Sequence, residues 1–120
     1  MVDAAQYFPG TWEFRFRSSD GKEYRGTVEM QPRTPTEIEI RFKGQSSDGR
    51  PVEGRGSIEV RSPYEYRFEM QSSDGARWEG TLQVRSPDSV EVRFKSSDGR
   101  EYSGEFRRQE GSLEHHHHHH

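Results

Sequence analysis

Apolar and charged residues alternate with a period of two along most of the chain, and short clusters of turn-forming residues interrupt the alternation. In the first such segment Trp12, Phe14 and Phe16 share one face, and charged residues at the odd positions share the other. This alternation is typical of strands with one buried and one solvated face. It predicts eight strands whose inward residues all carry even numbers: Trp12, Phe14 and Phe16; Tyr24, Gly26, Val28 and Met30; Ile38, Ile40, Phe42 and Gly44; Val52, Gly54, Gly56, Ile58 and Val60; Tyr64, Tyr66, Phe68 and Met70; Trp78, Gly80, Leu82 and Val84; Val90, Val92 and Phe94; Tyr102, Gly104 and Phe106.

No segment with helical periodicity is long enough to cover the apolar face of such a sheet. Residues 2–8 are predicted to form a short helical turn, which Pro9 and Gly10 end. The sheet must therefore cover its own apolar face, either by closing into a barrel or by forming a two-sheet sandwich. All connections are short, which favours strands that are neighbours in chain order. We predict an all-β fold, a single closed up-and-down antiparallel eight-stranded β-barrel, with the helical turn plugging one end.

Two kinds of turn alternate along the chain. Ser-Ser-Asp-Gly occurs four times, starting at Ser18, Ser46, Ser72 and Ser96. Each copy is predicted to form a type I turn whose glycine is left-handed and makes a G1 bulge. The other connections are proline loops at 31–35, 61–63 and 85–88. The barrel should therefore have two chemically different ends, which we name the Asp-Gly end and the proline end.

Six inward positions hold glycine, although glycine inside a strand costs about 0.5–1 kcal/mol relative to alanine. We interpret these glycines as the points where the strands bend sharply to close the barrel. The alternative is a smooth-walled ligand cavity left by the missing side chains. The six residues are Gly26, Gly44, Gly54, Gly56, Gly80 and Gly104, of which Gly26, Gly54, Gly80 and Gly104 recur at one position of successive hairpins.

The two ends of the chain carry a recognisable pair. Gly10-Thr11-Trp12 begins the first strand and Arg108 closes the last, which resembles the tryptophan corner of lipocalins and related barrels. In that arrangement an arginine from the closing strand covers the indole. Arg108 has inward parity, so we expect a cation–π contact with Trp12. The C-terminal helix, the disulfide and the long first loop of lipocalins are missing, so the resemblance does not imply transport.

A broader resemblance covers almost the whole domain. The segments at 4–6, 9–12, 31–33, 47–51 and 108–110, together with the Ser-Pro loops, resemble those of the de novo designed eight-stranded β-barrels. Some members of that family were built to bind and light up a fluorogenic chromophore, and these carry small and polar inward groups. This chain has bulky inward residues instead. The resemblance implies a designed monomeric scaffold with a filled core, no enzymatic activity, no cofactor and no natural partner.

Composition narrows the remaining classes of function. All six histidines lie at 115–120, so we assign residues 1–110 to the barrel and 111–120 to a linker and expression tag. The chain has no cysteine, which excludes disulfides and thiolate chemistry. The formal charge of −3 becomes −2 without Glu114, so no basic field for nucleic acid or an anionic membrane is expected. No natural location is assigned; we expect a soluble recombinant protein in the cytoplasm of its expression host.

The repeated turns also contain candidate chemical groups. Without histidine in the domain, their serines and aspartates cannot assemble a Ser-His-Asp triad, and local turn hydrogen bonds explain both residue types. Asp20, Asp48, Asp74 and Asp98 share one rim but lack the converging oxygen ligands of a calcium loop. We therefore predict no metal site and no catalytic residue.

Binding of a small molecule remains the alternative function. Tyr24, Tyr66, Trp78 and Tyr102 are predicted to lie toward the Asp-Gly end, with the four leading turn serines as a polar rim. An apolar, aromatic pocket with a few hydroxyl groups is a common form of ligand site. The ligand would be a planar apolar or fluorogenic molecule in the barrel mouth. A cavity of roughly 300 Å³ or more would favour this alternative over the filled scaffold.

Overall fold

The computed structural model describes residues 3–109, in which one short helix precedes eight strands. The predicted linker and tag at 111–120 lie outside the described residues, so the domain boundary at residue 110 stays a prediction. Helix α1 has four residues, and no helix within the described range is long and apolar enough to cross a membrane. The elements are α1 Ala4–Tyr7, β1 Gly10–Ser18, β2 Glu23–Thr34, β3 Glu37–Ser46, β4 Pro51–Ser62, β5 Glu65–Ser72, β6 Arg77–Ser86, β7 Ser89–Ser96 and β8 Glu101–Arg108.

The eight strands form a closed antiparallel barrel in which every strand pairs with its neighbours in the chain. Closure is made by β1 and β8, where Phe14 lies opposite Phe106 and Trp12 lies opposite Arg108. The predicted up-and-down barrel is confirmed and the two-sheet sandwich is excluded. Because β1 pairs on both sides, neither terminal strand leaves a free sheet edge.

The interior is built from the even-numbered residues, as the alternation predicts. Trp12, Ile38, Ile58, Val90 and Phe106 are completely buried, and they come from five different strands. Burying a large apolar side chain stabilises a fold by about 1.5–3 kcal/mol. Loop lengths keep the parity constant from β1 to β8, so one inward face runs around the whole barrel.

Tyr64 is the exception, and its predicted inward position is wrong. It is 86% exposed and lies in the turn between β4 and β5. The residue before it, Pro63, presets a turn conformation, so β5 begins only at Glu65. The even number of Tyr64 carries no information about burial because the residue is not in a strand.

The connections at the proline end are shorter than predicted. Only residues 35–36, 63–64 and 87–88 are turns, because β2, β4 and β6 each extend past the expected boundary. Each extension carries a register shift, located between Pro32 and Thr34 in β2. Such a bulge absorbs one extra residue and also accommodates a proline that cannot donate to the ladder. The extra residues are Arg33, Arg61 and Arg85.

The inward glycines lie where neighbouring strands approach too closely for a side chain. A Cβ atom on Gly54 would lie 2.1 Å from the carbonyl oxygen of Gln71, and one on Gly80 would lie 1.9 Å from that of Arg93. The same clash with a backbone oxygen, at 1.9–2.2 Å, recurs at all six positions. The space that the missing side chains leave is therefore filled by the adjacent strand and is not a cavity.

Helix α1 seals the proline end. Asp3 caps it, accepting a hydrogen bond from the Ala5 amide at 3.1 Å. Phe8 follows the helix and is fully buried, with its ring centre 5.6 Å from that of Tyr66. The predicted helical plug is confirmed, and Phe8 is the side chain that fills the barrel end.

Candidate binding site

The mouth at the Asp-Gly end contains three of the four predicted binding residues. Tyr24, Trp78 and Tyr102 are each the first inward residue after a Ser-Ser-Asp-Gly turn, which sets their common height. Tyr24 is half-buried, and its ring centre lies 5.9 Å from that of Tyr102. Trp78 and Tyr102 are 9% and 6% exposed, so they belong to the core more than to an open pocket.

Tyr66 lies at the opposite end, and its predicted place in the mouth is wrong. Strand β5 runs from the proline end toward the Asp-Gly end, so Tyr66 is its first inward residue above the proline loop. Its ring contacts Phe8, and its hydroxyl donates a hydrogen bond to the Pro63 carbonyl at 3.4 Å. Tyr66 therefore helps to hold the helical plug.

The cavity inside the mouth is small. Its volume is about 20 Å³. This is close to the room that one water molecule needs, about 10–15 Å³, and far below the roughly 300 Å³ of a ligand pocket. The side chains around it are Phe14, Phe16, Tyr24, Phe42, Val52, Met70, Trp78 and Phe94.

Aromatic rings account for the small volume. Phe94 stacks on Tyr102 with ring centres 4.9 Å apart, and it meets Phe16 edge-to-face at 4.8 Å. On the other side of the mouth, Trp78 meets Phe42 edge-to-face at 6.0 Å. Such geometries are those that aromatic quadrupoles favour. The rings of five strands interlock and leave no ligand-sized void.

The rim serines are engaged within their own turns. Ser18, Ser46 and Ser72 are buried, and each donates its hydroxyl hydrogen to the aspartate two residues later. Ser96 does the same to Asp98. These hydroxyls are therefore not free to donate to a ligand, contrary to the predicted polar rim.

The turn backbone explains why the serine and the aspartate recur together. In the third turn the Gly75 amide donates to the Ser72 carbonyl at 3.0 Å, and the Ala76 amide donates to the Ser72 hydroxyl at 3.1 Å. Gly75 has a φ of +94°, which favours glycine over all other residues. The repeated motif is a structural turn.

Titratable groups in the mouth are poorly suited to acid–base chemistry near neutral pH. The serine hydrogen bond lowers the pKa of each turn aspartate and keeps it ionised. Burial raises the pKa of Tyr102, and the neighbouring Tyr24 acts in the same direction. The phenol therefore stays protonated. Within the described range no group of acidic or histidine side chains is placed to hold a metal ion.

Larger concavities lie on the charged outer wall of the described barrel. One of them, with a volume of about 890 Å³, is lined by residues of β1, β5, β6, β7 and β8 and is open to solvent. Its lining cations, which include Arg17, Arg67 and Arg93, are interleaved with acidic residues such as Glu65 and Glu101. Mixed signs at this spacing produce no field that would select a highly charged partner.

The opposite end contains the predicted arginine–tryptophan pair. The guanidinium carbon of Arg108 lies 4.2 Å from the Trp12 ring centre, within the range of a cation–π interaction. The indole nitrogen of Trp12 donates to the Phe8 carbonyl at 2.8 Å. Trp12 is fully buried, and its one polar side-chain atom has a hydrogen-bond partner.

Arg108 also binds the segment that precedes β1. Its guanidinium donates to the Tyr7 carbonyl at 2.6 Å and to the Pro9 carbonyl at 3.3 Å. It lies 3.6 Å from a carboxylate oxygen of Asp88. One side chain thus connects the last strand, the helix C-terminus and the β6–β7 turn.

Tyr7 is a member of this end that sequence reasoning missed. Its hydroxyl donates to the Ser86 carbonyl at 2.5 Å, and the Arg108 guanidinium lies 5.5 Å from its ring centre. Burial raises the pKa of Tyr7 to about 12. A four-residue helix has no periodicity that would mark Tyr7 or Phe8 as a contact residue.

The closed eight-stranded barrel with its tryptophan corner places the chain among the small up-and-down β-barrels. No protein-family model and no curated protein matches the sequence. A redesigned β-barrel, mFAP1, bound to DFHBI, is 29% identical with a TM-score of 0.84, covering 89% of this chain and 100% of that one. A second redesigned β-barrel is 30% identical with a TM-score of 0.83, covering 91% of this chain and 97% of that one. A further redesigned barrel, mFAP0, bound to DFHBI, is 28% identical with a TM-score of 0.82, covering 86% of this chain and 100% of that one. The chain belongs to this family of designed β-barrels.

Proposed function

We propose that this designed barrel is a scaffold whose interior is filled by its own side chains and which binds no ligand. The single observation that carries the proposal is the interior cavity of about 20 Å³ at the Asp-Gly end. A drug-sized molecule needs roughly 300 Å³ or more. Entry of such a ligand would require several core rings to leave their positions.

Two further features support the filled scaffold. The space beside the inward glycines, which would widen a pocket, is instead occupied by the backbone of the next strand, as it is by Gln71 beside Gly54. The rim hydroxyls that would orient a ligand donate to the turn aspartates, as Ser46 does to Asp48. Neither the volume nor the polar groups of a binding site are in place.

The proposal includes no reaction and no protein partner. The mouth phenol of Tyr102 is held protonated by burial, so it is not a base near neutral pH. Both edges of every described strand are paired, which removes the commonest route to edge-to-edge association. The functional unit we propose is residues 1–110 as a monomer.

A second candidate is binding of a planar fluorogenic molecule in the mouth. The observation in its favour is that the related barrels mFAP1 and mFAP0 are bound to DFHBI. In this chain Trp78 and Phe42 meet across the mouth with ring centres 6.0 Å apart. They would have to separate before a planar ring system entered.

Titration with DFHBI distinguishes the two functions. The filled scaffold predicts no saturable emission and no rise in melting temperature, with mFAP1 in parallel as the positive control for the dye. A ligand that binds only the folded state raises its stability as the ligand concentration exceeds Kd. The thermal shift therefore also detects a dye that binds without emitting fluorescence. Saturable emission or a dye-dependent thermal shift would establish the binder instead.

A further inference from the structure

The four Ser-Ser-Asp-Gly turns contain a sequence with chemical reactivity of its own. Each aspartate precedes a glycine, whose missing side chain leaves the glycine amide unhindered. In a flexible Asp-Gly sequence the glycine nitrogen attacks the side-chain carboxyl carbon of the aspartate. A C–N bond forms, a C–O bond breaks, and the amide hydrogen leaves with the carboxyl hydroxyl as water.

Hydrolysis of the resulting succinimide ring adds one water molecule across either of its C–N bonds. One product is aspartate and the other is isoaspartate, in which the chain continues through the side-chain carboxyl. The overall mass does not change. The reaction needs a protonated carboxyl group, a glycine amide that is not held by a hydrogen bond, and freedom of the aspartate side chain to rotate onto the amide nitrogen.

The folded turn opposes all three requirements. The Gly75 amide is held by the Ser72 carbonyl at 3.0 Å, and the same bond occurs in the other three turns at 2.9–3.0 Å. The Asp74 carboxylate is fixed by the Ser72 hydroxyl and by the Ala76 amide at 3.2 Å. The serine hydrogen bond also lowers the pKa of Asp74, which removes the protonated form.

We propose that Asp20, Asp48, Asp74 and Asp98 are latent isoaspartate sites, whose conversion the leading serine of each turn slows in the folded barrel. The serine acts locally, on its own aspartate, and not through the stability of the whole barrel. Conversion then proceeds when a turn opens. The modification is spontaneous and needs water alone.

Peptide mapping tests the proposal because trypsin separates the four turns. The four tryptic peptides, in the order of Asp20, Asp48, Asp74 and Asp98, are 18–22, 44–55, 68–77 and 96–100. The folded protein, the protein in guanidinium chloride, and the variants Ser72→Ala and Ser73→Ala are incubated near neutral pH. Isoaspartate peptides have unchanged mass and are resolved chromatographically. Ser73 is exposed and serves as the matched control.

In the folded protein all four peptides are expected to convert slowly, and in guanidinium chloride all four convert faster. Ser72→Ala is expected to accelerate Asp74 alone by about tenfold, the factor that corresponds to one lost charge-assisted hydrogen bond. Ser73→Ala leaves the rate at Asp74 unchanged. Circular dichroism verifies that both variants are folded.

Three results would overturn the proposal. Equal rates in the folded and unfolded protein would mean that the turn gives no protection. A wild-type rate at Asp74 in Ser72→Ala would remove the role of the serine. A uniform rise at all four aspartates in that variant would assign the protection to global folding, since the three unaltered turns are controls within the same molecule.

Discussion

The guanidinium of Arg108 covers the indole of Trp12 at 4.2 Å, and the same two residues lie opposite each other in the β1–β8 pairing that closes the barrel. Closure and the cation–π contact therefore lie at one point of the fold. The guanidinium also holds the Tyr7 and Pro9 carbonyls, so the helical plug is attached to the same place. This end is fastened by polar bonds, whereas the Asp-Gly end is filled by rings.

Replacing Arg108 by alanine should destabilise the barrel by about 2 kcal/mol, through loss of the cation–π contact and of hydrogen bonds to carbonyl groups. Arg108→Lys should recover only part of this, because an ammonium group lacks the planar fork. Urea unfolding followed by tryptophan fluorescence measures the change. Arg107→Ala, on the exposed face of the same strand, is the control; equal losses for the two alanine variants would contradict the role of Arg108.

Gly80→Ala should reduce stability by about 1–3 kcal/mol, the range of overpacking changes. The added Cβ atom would lie 1.9 Å from the Arg93 carbonyl oxygen, so β6 and β7 have to separate. Thermal unfolding compares it with Thr81→Ala, which alters the outward neighbour in the same strand. If Gly80→Ala were as stable as the wild type, the close approach of the strands would not be required.

Trp78→Ala should cost about 3–5 kcal/mol, as large-to-small core substitutions do. It should also enlarge the present cavity of about 20 Å³ into one that accepts the missing ring. Free indole is then expected to raise the melting temperature of Trp78→Ala and to leave that of the wild type unchanged. A similar shift in both proteins would indicate that the wild-type interior already admits aromatic ligands.

Tyr7 should make stability depend on alkaline pH. Burial raises its folded-state pKa to about 12, from the ordinary tyrosine value of 10.0. Between these values the folded state holds a proton that the unfolded state has lost, so the stabilisation is complete below about pH 10 and is lost as pH rises toward 12. Unfolding midpoints of the wild type should fall more steeply over this window than those of Tyr7→Phe. Parallel curves would show that Tyr7 does not contribute.

Strand number and inward face were predictable because the alternation of apolar and charged residues reports directly which face is buried. The height of each inward side chain along the barrel axis was not predictable from the alternation, because it depends on where each strand begins. Tyr64 and Tyr66 show the difference: both have inward parity, yet the turn at Pro63 leaves one exposed and puts the other beside Phe8.

Features that depend on contacts between distant segments were harder to predict. The pair of Trp12 and Arg108 was accessible through a resemblance to known barrels, but the contacts of Tyr7 with Ser86 and Arg108 join segments about 80 to 100 residues apart in sequence. The bulges at the proline end were missed because an extra residue in one strand is defined only against its partner. The reason for the inward glycines also needed the backbone of the adjacent strand.

The most direct test of the filled interior is a high-resolution crystal structure of the protein without added ligand. We predict that the rings of Phe42, Trp78 and Phe94 occupy the mouth and leave a void close to the present value of about 20 Å³. A continuous interior cavity of roughly 300 Å³ or more, open at the Asp-Gly end, would contradict the account.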